Sequence, residues 1–384
     1  MKPINSIILS LCAVLLSACH AKQPYTLVWE DDFNAPTLDT SYWNVDDNAR
    51  GGGNAEMQYY TPRNVTIERH PVSGESCLVL NAKREDYRNR PATSGRVNTQ
   101  DKVTVCYGKI EARIAFPYTG NGLWPAFWML GNNLATNLGN DDSIDRQCDQ
   151  LAQQGRVVWP KCGEIDIVEM GHKDGIEKGV SDRYFNGAAH WGESFNDGKY
   201  PNQAGMCEAP YPVQGEFHLF TVIWTEDSLA MYLDQDQYPE VAPYFALSLR
   251  DKSINKPGHY FNHPFYIVLN LAVGGFFPGL PMPEKYPEVY TAEDENFQRV
   301  TALPADGTPA KMYIDYIKIY QAPSSRTPVA YNNGSSASRR WLPIIMAPGS
   351  WSPVAYNKTL LAPGRQKTRN YETLYQRKTR LQPW

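Results

Sequence analysis

The run Gly163-Glu164-Ile165-Asp166-Ile167-Val168-Glu169-Met170 sets three carboxylates among β-branched and apolar residues, in a segment that otherwise reads as a buried strand. Burying an unpaired carboxylate costs on the order of several kcal/mol, so a strand keeps three only where they hydrogen-bond one another or line a cleft. Strand alternation puts Glu164, Asp166 and Val168 on one face and Glu169 on the other. One extra residue in a β-bulge around Ile167 and Val168 returns Glu169 to the face of Glu164. The outer two backbone positions then lie roughly 13 Å apart, at about 3.3 Å per residue over about four effective steps. Inward-leaning Glu side chains close most of that gap. Carboxyl groups about 5 to 5.5 Å apart suit retaining glycoside hydrolysis, in which one acid attacks the sugar and the other protonates the leaving oxygen. Asp166 between them can hydrogen-bond the attacking group and keep the pair in different ionisation states. The competing reading is a solvated strand edge with scattered acids; Ile165, Ile167, Val168 and Met170 argue against it.

The rest of the chain points to an all-β fold. Short Val, Ile, Tyr and Phe runs recur between Gly, Pro, Asn and Asp clusters, and long amphipathic helices are lacking, a pattern that predicts a β-sandwich. At 384 residues the chain accommodates one such domain with a full core. Its 24 Tyr, 13 Phe and 10 Trp suit a cleft that stacks rings on sugars, although most must serve the core. A net charge of −4 supplies no basic field for nucleic acid.

The acidic run resembles the Glu-x-Asp-x-x-Glu signature of glycoside hydrolase family 16 in its bulged, laminarinase-like form. Other segments agree in the family's order. Leu27 to Asn34 with Leu38-Asp39 and Trp43-Asn44 resembles the first strand. Asn54 to Thr61 resembles the Asn-Glu-x-Gln-Tyr-Tyr-Thr cleft segment, with one extra residue after Asn54. Ser94 to Thr99, Tyr107 to Arg113 and Gly122 to Leu130 resemble the strands leading to the catalytic one. Leu269 to Gly275 and Met312 to Ile317 complete the set, and the match covers about residues 25 to 321.

The resemblance implies a jelly-roll sandwich of two curved antiparallel sheets with an open cleft. It implies Glu164 as nucleophile, Glu169 as general acid/base and Asp166 as helper. Trp124 and Trp128, on one face with Ala126, are candidate floors for sugar stacking, and a core role competes for Trp128. Asn54, Glu56 and Arg96 resemble groups that bind hydroxyls on the non-reducing side, with a surface salt bridge the competing account of Glu56 and Arg96. His190 is placed to hydrogen-bond the nucleophile or the sugar, or to serve structure. No cofactor is required; relatives often hold a structural calcium, for which Asp315 is the position to test. The implied activity is endo-β-1,3-glucan hydrolysis by a monomer. Endo-β-galactosidase action on keratan-like or mucin O-glycans is the alternative, followed by transglycosylation and non-catalytic glycan binding. Two segments, Asn132 to Lys161 and a presumed loop Ser181 to Asn186, are candidate selectors of substrate.

Residues 1–18 read as a lipoprotein signal: Met1-Lys2, an apolar run from Ile7 to Leu16, and Leu16-Ser17-Ala18-Cys19, which resembles a bacterial lipobox with Cys19 as the acylated residue. Residues 19–24 are the tether, so the expected location is the bacterial cell envelope, periplasmic or on the outer-membrane surface. Of the remaining five cysteines, Cys148 and Cys162 bracket an insertion and are the expected pair. No spacing suggests zinc. Residues 322–384 carry ten Lys and Arg against Glu372 alone, a net +9 that leaves −13 on the rest of the chain. Thr327 to Asn332 recurs nearly unchanged as Ser352 to Asn357, yet the composition reads as a disordered basic tail.

Overall fold

The computed structural model describes residues 25–50, 53–135, 155–195, 198–282, 289–322 and 330–331. The lipobox with Cys19, Cys148 and most of the basic tail lie outside these residues. In chain order the strands are β1 (Thr26–Asp31), β2 (Asn44–Val45), β3 (Gln58–Tyr60), β4 (Val65–Arg69), β5 (Ser76–Tyr87), β6 (Arg90–Ser94), β7 (Arg96–Asn98), β8 (Val103–Val105), β9 (Gly108–Ala115) and β10 (Leu123–Gly131). They continue with β11 (Glu164–Met170), β12 (Tyr184–His190), β13 (Asn202–Glu208), β14 (His218–Trp224), β15 (Ser228–Leu233), β16 (Phe245–Ser248), β17 (Phe265–Val273), β18 (Ala310–Gln321) and β19 (Ala330–Tyr331). Among the described residues, α-helix is confined to single turns, α1 (Lys173–Glu177), α2 (Pro257–Tyr260) and α3 (Glu295–Gln298).

Two sheets face each other. The first runs β16-β15-β14-β9-β18-β5-β6-β3, with β1 on β18 and β4 on β5; the second runs β13-β12-β11-β10-β17-β7-β2, with β8 on β17 and β19 on β8. Pairing is antiparallel except β3 with β6, which run parallel, a departure from the expected all-antiparallel sheets. Alternation explains the layering. On β9, Ile110, Ala112 and Ile114 turn inward and are buried, while Lys109, Glu111 and Arg113 turn out. On β18 the inward set Met312, Ile314, Ile317 and Ile319 skips a beat where the register shifts between Ile314 and Tyr316, as a bulge requires. From the second sheet Phe127, Met129, Ile165, Val168, Phe185, Leu269 and Leu271 fill the space between the sheets. β17 reads Phe-Tyr-Ile-Val-Leu-Asn-Leu-Ala-Val and is buried throughout, because β10 and β7 flank it and both of its faces are covered.

Two expectations are corrected here. Tyr184 to Asn186 form no loop: they open β12 and pair with Glu208, Cys207 and Met206 of β13, since Tyr184 and Phe185 bury apolar surface on the sheet. The tail is not wholly without structure either, because Ala330 and Tyr331 form β19, opposite Thr104 and Val103. Cys77, Cys106, Cys162 and Cys207 are free thiols. The expected partner of Cys162, Cys148, lies outside the described residues.

Candidate active site

The outer face of the second sheet carries the acids. Opposite β10, Glu164 pairs with Leu130, Asp166 with Trp128 and Glu169 with Ala126, so six residues of β11 span five of β10. On the other side Asp166 faces Ala188 and Glu169 faces Asn186, three steps against two. Both ladders thus locate the bulge at Ile167 and Val168, and Glu164, Asp166 and Glu169 share one face as expected. The side chains of Ile167 and Val168 stay in the core, and Tyr244 Oη donates to the Ile167 carbonyl at 2.5 Å, satisfying a backbone group that the bulge frees from the ladder.

Each carboxylate has dedicated partners. Trp159 Nε1 donates to Glu164 Oε2 at 2.9 Å. Trp124 Nε1 donates to Glu169 Oε1 at 2.9 Å, and Asn186 Nδ2 donates to Glu169 Oε2 at 3.0 Å. His190 Nε2 lies 3.1 Å from Asp166 Oδ2 and 4.0 Å from Glu164 Oε1. The approach to Asp166 is close but off the line of a hydrogen bond, so Oδ2 remains without an aligned donor. Among the described residues, Glu164, Asp166 and His190 are the one grouping of metal-ligating types, their ligand atoms within 4.8 Å of one another.

Three acids this close cannot all ionise. Burial, then repulsion from Asp166, pushes the Glu164 carboxyl up to about 8. Burial raises Glu169 too, opposed chiefly by the hydrogen bond from Asn186. Asp166 is only 4% exposed and is pushed well above the carboxylate range, first by burial and then by the charge of Glu169. The cluster as a whole therefore favours retaining a proton. Once protonated, Asp166 no longer repels Glu164, which favours the ionised form of Glu164.

The same face extends to either side of the acids. Ladder register aligns Arg96, Asn270, Ala126, Glu169, Asn186 and Met206 in one row across β7, β17, β10, β11, β12 and β13. Trp128 is half-buried, donates to Asn270 Oδ1 at 2.7 Å and lies 5.0 Å beneath the Arg96 guanidinium. Trp124 stacks on Phe277 with centroids 4.7 Å apart and planes at 7°, so one of its faces is occupied. Beyond Glu164, Trp159 packs with His190, Phe195 and Tyr200.

Glu56 and Arg96 do not form the surface salt bridge considered as an alternative. Glu56 is buried and accepts from Gln58 Nε2 at 2.7 Å and Tyr60 Oη at 3.1 Å, whereas Arg96 pairs with Asp46 at 3.3 Å. The Asn54 carbonyl accepts from Phe276 N at 3.0 Å, tying that segment to the loop that carries Phe277. Asp315 lies on the other sheet, where Arg113 Nη1 donates to it at 2.6 Å.

Trp159, Asn186, Asn270 and Phe277 escaped the sequence reading. Trp159 belongs to the far end of the insertion: Val157 bridges to Leu134, and Arg156 binds Asp101 at 2.8 Å. A small apolar cluster of Leu130, Leu134, Cys162, Tyr266 and Val268 seats the indole against the sheet. Residues 136–154 of that insertion are outside the described set.

The sequence profile of Glycosyl hydrolases family 16 matches residues 60–245. A glucan endo-1,3-beta-glucosidase of Cryptopygus antarcticus is 32% identical over 275 residues, covering 70% of this chain and 88% of that protein. Glucan endo-1,3-beta-glucosidase A1 of Niallia circulans is 30% identical over 77% of this chain, which spans only 38% of that longer protein. Among solved structures, a family 16 protein of the Bacteroides ovatus mixed linkage glucan PUL, in complex with G4G4G3G product, is 32% identical. The match covers 76% of this chain and 99% of that one, with a TM-score of 0.57. With the sandwich, the bulged acidic strand and these relatives together, the chain belongs to glycosyl hydrolase family 16.

Proposed function

We propose that the protein is a retaining endo-β-1,3-glucanase of the laminarinase type. One observation carries this reading: the bulge that turns Glu164, Asp166 and Glu169 onto one open face. Glu164 is the nucleophile and attacks the anomeric carbon while Glu169, protonated, gives its proton to the glycosidic oxygen. Water then releases the sugar from Glu164, with Glu169 as base taking the water's proton. Asp166, once protonated, no longer repels Glu164, and His190 orients Asp166. Trp128, Arg96 and Trp124 offer ring faces and donors to glucose units, with Asn54 and Glu56 supporting the wall behind Trp124. The chemistry needs no cofactor, and one chain supplies the whole set, consistent with a monomer.

The β-1,3 preference is supported by the names of the Niallia and Cryptopygus relatives. Mixed-linkage glucan is the second reading, favoured by the product held in the Bacteroides structure. The lipobox-like Leu16-Ser17-Ala18-Cys19 supports a cell-envelope lipoprotein anchored through Cys19, with the catalytic domain in water. The deciding experiment incubates the purified protein separately with laminarin, barley mixed-linkage glucan, keratan and mucin O-glycans, with Glu164→Gln as control. Laminarin oligosaccharides that vanish in the variant support the proposal. Products only from keratan or mucin overturn it in favour of an endo-galactosidase.

A further inference from the structure

The two oxygens of Glu169 have unlike partners. Oε1 accepts from the Trp124 indole N–H, a group that can only donate. A proton on Oε1 would therefore point at another proton. Oε2 accepts from Asn186 Nδ2, and an amide offers a donor on one arm and an acceptor on the other. Asn186 is only 2% exposed, and its Oδ1 is buried with no partner. A buried carbonyl left unpaired needs an explanation. Half a turn of the amide exchanges the two arms and brings Oδ1 against Glu169.

We propose that Asn186 is a positioning residue that serves Glu169 in both protonation states, making Oε2 the oxygen that carries the catalytic proton. This rests on the acid/base role given to Glu169 above. In the resting acid, Asn186 Oδ1 accepts from the Oε2 hydroxyl and holds it in place. As the glycosidic bond breaks, the proton passes from Oε2 to the leaving oxygen, and Asn186 Nδ2 then donates to the new carboxylate. When water attacks the glycosyl–enzyme, its proton returns to Oε2 and the amide turns back. Trp124 stays fixed on Oε1 throughout.

Glu169 faces Glu164 and Asp166 from its own strand, His190 from β12 and Glu56 from the segment before β3. These charges set its baseline; Asn186 is the neutral partner that follows its proton. The test uses the full-length protein with Asn186→Leu, Asn186→Asp and, for reference, Glu169→Gln. Each is assayed across pH on laminarin and on a dinitrophenyl β-laminaribioside, whose leaving group needs little protonation. Loss of the amide should lower kcat/KM on laminarin about tenfold or more, part of what a general acid supplies, with little change in kcat/KM for dinitrophenol release, which reports the first step alone. Because Asn186→Leu removes a donor to the carboxylate, the alkaline limb of kcat/KM should rise by about one pH unit. Asn186→Asp should raise it further, since a second carboxyl then shares the proton.

Equal losses of kcat/KM on both substrates with an unmoved alkaline limb would leave Asn186 a purely structural residue and overturn the inference. If Glu169→Gln itself fails to distinguish the two leaving groups, the acid/base reading of Glu169 falls instead.

Discussion

Trp159 and Glu164 are joined by a hydrogen bond of 2.9 Å from the indole Nε1 to Oε2, across a turn closed by Gly163 N on the Pro160 carbonyl at 3.0 Å. The substrate-rim segment thereby holds the proposed nucleophile directly. Its aromatic neighbours His190, Phe195 and Tyr200 keep the ring in place, so the segment's fold and the carboxylate's ionisation are linked.

That link predicts a pH effect. The indole N–H favours the charged form of Glu164, so Trp159→Phe should raise the acidic limb of kcat/KM. A hydrogen bond to a charged group contributes about 1.5–3 kcal/mol, equivalent to about one to two pH units. Rate profiles of the variant and the parent between about pH 4 and 10 provide the check, and coincident acidic limbs would break the link.

The acidic cluster should destabilise the fold as pH rises. Burial pushes all three carboxyls up, Glu164 to about 8, so between the ordinary 4.5 and that value the folded cluster keeps a proton that the unfolded chain releases. Stability therefore falls as pH climbs through that window and is least penalised below it. Glu164→Gln removes one of the repelling carboxyls, so less proton retention is imposed on the folded cluster. The variant's Tm should match the parent's near pH 4 and exceed it near pH 8; a parent that is equally or more stable at pH 8 would contradict the shift.

The stereochemical course follows from having a nucleophile in place. Proton NMR of the first-formed reducing ends should show the β-anomer before mutarotation, the configuration of the cleaved bond. An initial α-anomer would mean that water attacks directly and that Glu164 is not the nucleophile.

Phe127 underpins the bulge from the core side. It is fully buried and pairs with Val168 at the register shift. Phe127→Ala should cost about 3–5 kcal/mol through lost burial and the cavity left behind. Urea unfolding at constant m-value measures this directly.

The acids were legible in the sequence because strand alternation has a period of two over adjacent residues. Three carboxylates that break the period among Ile165, Ile167 and Val168 imply a bulge, and the ladders to β10 and β12 carry it at the expected place. The same local rule explains why Trp124, Ala126 and Trp128 share a face. The expected loop at Ser181 to Asn186 was not met, since Tyr184 to Asn186 pair along β13.

What the sequence by itself determined is therefore the all-β class, the bulged acidic strand and the identity of its three carboxylates, all set by interactions among neighbouring residues. What only the tertiary structure decided is who holds those carboxylates. Asn186 reaches Glu169 from 17 residues away and Trp124 from 45, while Trp128 finds Asn270 at a separation of 142. Such partners arise from strand order and register, which depend on burying the whole core at once, and no local pattern encodes them.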